Sequence, residues 1–268
     1  MTEQKKTKTG GNEIVKKNKA DVLAVPDGLE DFYKDDTTDV FDITIPRILV
    51  MQGQSGMVNY EKAVIGEIRE NLNCDLLAAK GKSFEIIPLK RFKSFKLFRP
   101  NPEGGKPTFV KELPYNRDTI QWEKKRLREV EIDGENLQCF IAFNFFILPV
   151  ADIDEALPML ISFSSTAFKT AKDWNTQIVQ AASAGYKLLP QKTYNLSASK
   201  RDNEKGNWYI PTIGKGRVTS EDEMKEVAKW LPLLADAKIS DEYVDEYADE
   251  SVADAPIKAG EVSKDQEY

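Results

Sequence analysis

The sequence predicts a mainly β, α+β fold, and three observations lead there. Between residues 41 and 213 most apolar runs either alternate with a period of two or are short and continuous, as strands are. One segment, near 165–184, has helical periodicity instead, and a second helical pattern follows at 219–237. Turn-forming residues punctuate the runs, most clearly Asp133-Gly134 between two strand-like segments.

The elements follow in order. Residues 1–40 are rich in Lys, Asp, Thr and Gly, carry few large apolar side chains, and are expected to be a disordered arm. Order is expected from Phe41-Asp42-Ile43-Thr44-Ile45-Pro46. Ile48–Met51 is a short apolar run closed by Gly53 and Gly56, and Lys80-Gly81 marks a turn. Ser83–Phe98 is too long for one flat strand and is expected to bend near Pro88. Pro100, Pro102, Gly104, Gly105 and Pro107 make the next stretch a loop. Thr119–Ile132 and Leu137–Val150 then form a hairpin, the second strand apolar on both faces and therefore central and doubly buried. Pro158–Phe163 is a further short strand.

Ser165 or Thr166 caps a helix that places Phe168, Ala171, Trp174, Ile178 and Ala181 on one face and stops before Gly185. Strands return at Lys192–Ser199 and Asn207–Ile213, joined by the polar hairpin Lys200–Gly206. Thr219 or Ser220 opens a last helix with Glu221, Asp222 and Glu223 in its first turn, ending near Leu231-Pro232 or near Ala237. Three strands, one amphipathic helix and two strands is the chain order of an OB-fold. The prediction is thus an OB-fold-like β-barrel with insertions, spanning residues 41–235, with a packed helix between strands and a C-terminal helix. A mixed α+β sheet with a packed helix is the alternative. Residues 236–268 are expected to be a disordered acidic tail.

Composition narrows the function. Histidine is absent, which removes the commonest general base and metal ligand. Cys74 and Cys139 are far apart with no metal-binding spacing, which suits two small apolar side chains in a reducing cytoplasm. Gly214-Lys215-Gly216-Arg217 lacks the spacing and Ser/Thr of a phosphate-binding loop, and Gly53-Gln54-Ser55-Gly56 is not a nucleophile elbow. These features predict a non-enzymatic chain without cofactor or metal. Met1–Lys19 is polar and lysine-rich with no apolar segment after it, and no run approaches the ~18 residues of a membrane span. A cytoplasmic protein without membrane contact is expected.

Charge is segregated. The net −6 comprises +4 over residues 1–20, −7 over 21–45, +5 over 46–232 and −8 over 233–268. The body alternates too: +7 over 84–128, −7 over 129–164 and +6 over 165–217. Such blocks fit one positive face on an otherwise acidic chain.

The sharpest local signal is Lys90-Arg91-Phe92-Lys93-Ser94-Phe95-Lys96-Leu97-Phe98-Arg99, where cations and rings interleave. Strand alternation puts Lys90, Phe92, Lys96 and Phe98 on one face and Arg91, Lys93, Phe95 and Arg99 on the other. Phosphates attract mobile cations and every base offers a π-face, so single-stranded nucleic acid selects this composition. Core packing of the rings, with the cations solvating the outer face, is the competing reading. Tyr115, Trp122, Lys124, Lys125, Arg126 and Arg128 extend the pattern, and Lys200, Arg201 and Trp208 form a third patch at the late hairpin. Asp241-Glu242-Tyr243-Val244-Asp245-Glu246-Tyr247-Ala248-Asp249-Glu250 joins dense negative charge to spaced apolar groups, a composition able to mimic nucleic acid or to dock partners.

Three segments carry a resemblance. Ile45-Pro46-Arg47-Ile48-Leu49-Val50-Met51-Gln52-Gly53 and Gly81-Lys82-Ser83-Phe84-Glu85-Ile86-Ile87-Pro88-Leu89-Lys90 resemble phage replication-region proteins, and the 241–250 tail resembles that of T7-type binding proteins. Together the features resemble bacteriophage single-stranded DNA-binding proteins, which pair an OB-type body with an acidic C-terminal tail. The tail departs from their pattern, since acidic residues thin out after Asp254 and the chain ends Asp265-Gln266-Glu267-Tyr268. The resemblance implies sequence-tolerant binding of single-stranded DNA in phage replication or recombination, with the tail competing for the groove or meeting replication or recombination proteins. The host cytoplasm is then its place of action. The alternatives are a phage structural or protein-interaction protein and, further off, a metal-dependent nuclease. Oligomeric state and DNA-versus-RNA preference are left open by the sequence.

Overall fold

The computed structural model describes residues 44–53, 55–60, 62–102, 107–116, 127–203 and 206–235. Among these the chain forms β1 (Ile48–Val50), α1 (Gly56–Asn59), β2 (Ile68–Glu70), β3 (Leu76–Ala78), β4 (Ser83–Arg99), β5 (Thr108–Pro114), β6 (Leu127–Ile132), β7 (Glu135–Pro149) and β8 (Met159–Phe163). A 3₁₀ turn at Ser165–Ala167 leads into α2 (Phe168–Ser183), followed by β9 (Lys192–Asn203), β10 (Gly206–Val218) and α3 (Glu221–Ala235). The predicted arm, the acidic tail and the first part of the Thr119–Ile132 segment lie outside the described residues. No helix among the described residues is long and apolar enough to cross a membrane.

The large sheet has the order β10-β9-β4-β7-β6, with β5 also on β4 and β8 also on β7, and every pairing is antiparallel. Its spine is β4, whose 17 residues pair with β9 at Ser83–Ile86, with β7 along most of their length, and with β5 at Ser94–Arg99. The register slips between Pro88 and Lys90. Pro88 has no N–H to give the ladder, so the bend predicted there appears as a bulge. The β6–β7 hairpin turns on Asp133 (φ 55°) and Gly134 (φ 78°), the two positive φ angles that a two-residue hairpin of this hand requires.

The mainly β, antiparallel architecture with few helices is as predicted, but the strands do not close into a barrel among the described residues. Closure would pair β8 with β10. Instead β1 lies along β8, through a parallel bridge between Arg47 and Leu160 and a 2.8 Å bond from Leu160 N–H to Pro46 O. On the other side the buried Gln52 amide stands in for a strand partner. Its Nε2 donates to Tyr209 O at 2.6 Å, and its Oε1 accepts from Tyr209 N–H at 2.9 Å. At Tyr209 the backbone of β10 is thereby satisfied by a side chain, where a closed barrel would supply a paired strand.

As expected, β7 is buried on both faces. Phe145 and Ile147 face α2, whose Trp174 stacks on Phe145 with centroids 4.0 Å apart and meets Phe163 and Tyr194 edge-on. Phe146 and Leu148 face the other way and pack with Ile87 and Leu89 under Val227 and Leu234 of α3. Phe95, Leu97, Leu137, Cys139 and Ile141 form a third cluster near β5 and β6. Between the clusters lies a buried polar seam: Asn144 Nδ2 donates to Ser94 Oγ at 2.7 Å, Ser162 Oγ donates to Asn144 Oδ1 at 2.5 Å, and Ser94 Oγ donates to Glu112. Every member is paired, which is the condition for burying polar groups at all.

The last helix is pinned at both ends. Ser220 and Glu223 form a reciprocal capping box, Ser220 N–H donating to Glu223 Oε2 at 2.7 Å and Glu223 N–H to Ser220 Oγ at 3.3 Å. Arg217 donates to both oxygens of the same carboxylate at 2.5 and 2.8 Å. Chiefly through that guanidinium, and despite some burial, the Glu223 carboxyl is lowered to about 2. Pro232 sits inside the helix, which continues to Ala235, so the proline does not end it. At its C-terminus Lys90 Nζ donates to the carbonyls of Leu234 and Ala235, both at 2.7 Å. Because the folded value of Glu223 lies below its ordinary 4.5, the stabilisation is complete above that pH and is lost as pH falls toward 2. Glu223→Gln is expected to cost about 1 kcal/mol at pH 6, the pair being partly solvated. The variant and the parent should converge on acidification, and melting temperatures from pH 6 to pH 3 check this. A constant difference at all pH values would mean that the carboxylate is not the anchor.

Candidate nucleic-acid interface

Of the two faces that alternation offers in 90–99, α3 packs at the Lys90 end of one and α2 leaves part of the other open. Arg91 and Lys93 are exposed on the open side of β4. Lys93 lies opposite Phe143 in the β4–β7 register, and its Nζ sits 4.9 Å above the Phe143 ring and 5.1 Å above that of Tyr115. Phe143 contacts Phe168, the first residue of α2, at 5.0 Å, and Lys172 Nζ lies 5.3 Å over Phe168. Arg91 donates to Asn175 Oδ1 at 2.6 Å, while Asn175 Nδ2 is held by Ala171 O at 3.0 Å. Arg91, Phe92, Lys93, Phe143, Lys172, Asn175 and Thr176 line an open cleft of about 550 Å³.

The helix wall follows from sequence. Ala171, Trp174 and Ile178 occupy the buried stripe, so the i, i+3, i+7 set Lys169, Lys172 and Thr176 falls beside the groove or toward solvent. Arg91, Lys93 and Lys172 hold the positive charge, each on a stem or plane resting against rings or amides. Half-buried rings topped by cations offer both things a single strand needs, π-faces and counter-charge. No group of three or more metal-ligating side chains forms among the described residues.

The other predicted site residues are placed as follows. Lys90 is occupied at the end of α3. Phe92 is half-buried, packing at 5.5 Å on Phe146 while bordering the cleft. Phe95, Lys96 and Phe98 are 0%, 2% and 1% exposed, which corrects the expectation that these two rings and this cation face a ligand. Phe95 does contribute indirectly, since Tyr115 rests on it at 4.9 Å. Arg99 is exposed but paired with Glu135, which raises its already high pKa mainly through their hydrogen bond. Arg128 stands opposite Cys139 on β6, and Trp122, Lys124, Lys125 and Arg126 lie outside the described residues. Lys200 and Arg201 are exposed, and Trp208, opposite Arg201, is half-buried with no acceptor for its indole N–H among the described residues. β9 pairs with β4 only from Ser197 at Ser83 to Tyr194 at Ile86, so Lys200 and Arg201 lie beyond the start of β4, and neither they nor Trp208 line the cleft. The third patch is not part of the cleft.

Sequence reading missed Phe143, Phe168, Lys172, Asn175 and Thr176. By sequence Phe143 belongs only to the buried strand, and the helix shows only its apolar stripe. The available signal was Lys169, Lys172 and Thr176 beside Phe168 at helical spacing, a cationic edge next to a ring.

A mainly β protein with a basic aromatic cleft between sheet and helix is the class these features define. Residues 15–237 match the family model described as Pam3 phage gp34-like protein, and the chain belongs to that phage family. No curated protein and no solved structure matches it.

Proposed function

We propose that this phage protein binds single-stranded DNA without sequence preference, as a non-enzymatic component of replication or recombination in the host cytoplasm. The observation that carries the reading is the cleft itself: three cations, Arg91, Lys93 and Lys172, line one open groove with Phe92 and Phe143, Lys93 resting over Phe143 and Tyr115 and Lys172 over Phe168. The OB-type part of the reading draws support from strand adjacency. The order β10-β9-β4-β7 with β8 on β7, and α2 between β8 and β9, matches an OB-fold's strands 5-4-1-2-3 and its helix position, with β5 and β6 inserted after the first strand.

Binding of fluorescent oligo-dT at low salt tests the proposal. Three phosphate contacts on a single strand predict a log–log salt slope of about −2, hence a loss of roughly twentyfold between 50 and 200 mM salt. Indifference to oligo-dT at low salt would sink the proposal. The acidic 241–250 segment is assigned the role of competitor for the groove. Its removal is best begun after Ala235, because Leu234 is buried and both final carbonyls of α3 hold Lys90. The truncated chain is expected to bind oligo-dT severalfold more tightly at low salt; unchanged affinity would end the competition idea.

One observation favours the second reading, docking to other phage proteins. Tyr60, Val64, Leu72 and Leu76 are 78%, 57%, 46% and 49% exposed, all around the small β1-β2-β3 sheet. A stoichiometric place in purified virions would support it over DNA binding.

A further inference from the structure

A second hollow of about 140 Å³ lies along the same helix, and Arg91 lines both it and the cleft. Its remaining wall includes Val179, Tyr186, Lys187, Leu188 and Lys192. The local geometry is built. Beyond α2 the chain makes a Schellman turn: Gly185 N–H donates to Ala182 O at 3.1 Å and Tyr186 N–H to Ala181 O at 3.0 Å, with Gly185 at φ +101°. That turn folds Tyr186 back toward the sheet, where Lys192 Nζ sits 4.7 Å over its ring. Leu188 and Val179 are 60% and 57% exposed at the rim, apolar surface next to cations. The hollow thus repeats the chemistry of the cleft, a ring under a lysine with a second cation beside it.

We propose that a single strand held in the cleft continues past Arg91 into this hollow. Tyr186, Lys187 and Lys192 form a second subsite, and Arg91 is the phosphate contact shared by both. The proposal rests on the reading of the cleft as a single-strand site. A strand spanning both subsites meets five cations, Arg91, Lys93, Lys172, Lys187 and Lys192, whereas a short one meets the first three.

The test compares oligo-dT of about four and about twelve nucleotides, a range that single OB-type sites span. The full chain, the double variant Lys187→Ser with Lys192→Ser, and the cleft variant Lys93→Ser with Lys172→Ser are titrated. The distal variant should bind the short oligonucleotide like the parent and the long one about tenfold more weakly. Its salt slope on the long one should fall from about −3.5 to about −2, one step of ~0.7 per lost contact. The cleft variant should lose affinity for both lengths. If the distal variant leaves long-oligonucleotide binding unchanged, or weakens both lengths equally, the second subsite is wrong while the cleft stands. If the parent binds neither length, both readings fall. Lys187→Ser alone, at an exposed position, repeats the length test in case the double variant melts early.

Discussion

Reversing Arg91, Lys93 and Lys172 together to Glu should weaken oligo-dT binding by at least about a hundredfold at low salt while leaving the protein folded. Each of the three is exposed. Their interactions are light: Lys93 and Lys172 rest over rings, and Arg91 donates to a neutral amide. Exposed cation–π contacts contribute about 0.5–1 kcal/mol each, small against the 5–15 kcal/mol of a typical domain. Binding loses far more, because three released counterions become three like charges facing phosphates. Anisotropy titration with a parallel melting curve checks both halves. Affinity within a few fold of the parent, in a protein that melts normally, would move the DNA site elsewhere. Neutral variants refine the result: Lys93→Gln should flatten the salt slope by about 0.7 and weaken binding to any sequence alike.

The half of 90–99 that matters could not be chosen from sequence. Alternation divides Lys90, Phe92, Lys96 and Phe98 from Arg91, Lys93, Phe95 and Arg99, but both halves mix cations with rings. The choice is made by what packs on each side. α3 lies over Phe146 and Leu148 and borrows Lys90 as its C-terminal cap, while Lys96 and Phe98 of the same half are buried, Phe98 against Phe109 and Phe140, and only Phe92 reaches the cleft. On the other side α2 presses Trp174 onto Phe145 but, by position Phe168, only reaches Phe143 at its ring, leaving the rim open. By contrast, the doubly apolar β7, the stripe of α2 and the Asp133-Gly134 turn were legible, since each follows from local periodicity or a local φ requirement. Three-residue strands such as β2 and β3 hold too few residues to show a period. β5 follows directly on the predicted 100–107 loop and ends at Pro114, a stretch to which the sequence reading assigns no strand. The open sheet has no local signature in sequence: Gln52, 157 residues from Tyr209, bonds the β10 backbone there in place of a strand.

Phe98 separates the two readings of this segment most sharply. Phe98→Ala should cost about 3–5 kcal/mol of stability, yet leave the affinity of the folded molecules for oligo-dT within about twofold. The ring is 1% exposed and meets Phe109 and Phe140 edge-on, each at 5.5 Å, tying β5 to β4 and β7. Truncation leaves a cavity between three strands that cannot collapse without breaking their ladders, hence a value in the upper range for a large apolar side chain. Phe143→Ala is its counterpart. That ring is half-buried and borders the cleft, so truncation should remove about 1–3 kcal/mol of stacking from binding, with a smaller loss of stability. Measured below both melting transitions, by denaturant unfolding and by oligo-dT titration, the two variants should therefore move in opposite columns: Phe98 in stability, Phe143 in affinity. The reverse pattern would place Phe98 against the bases and move the ligand out of the cleft to the junction of β4, β5 and β7.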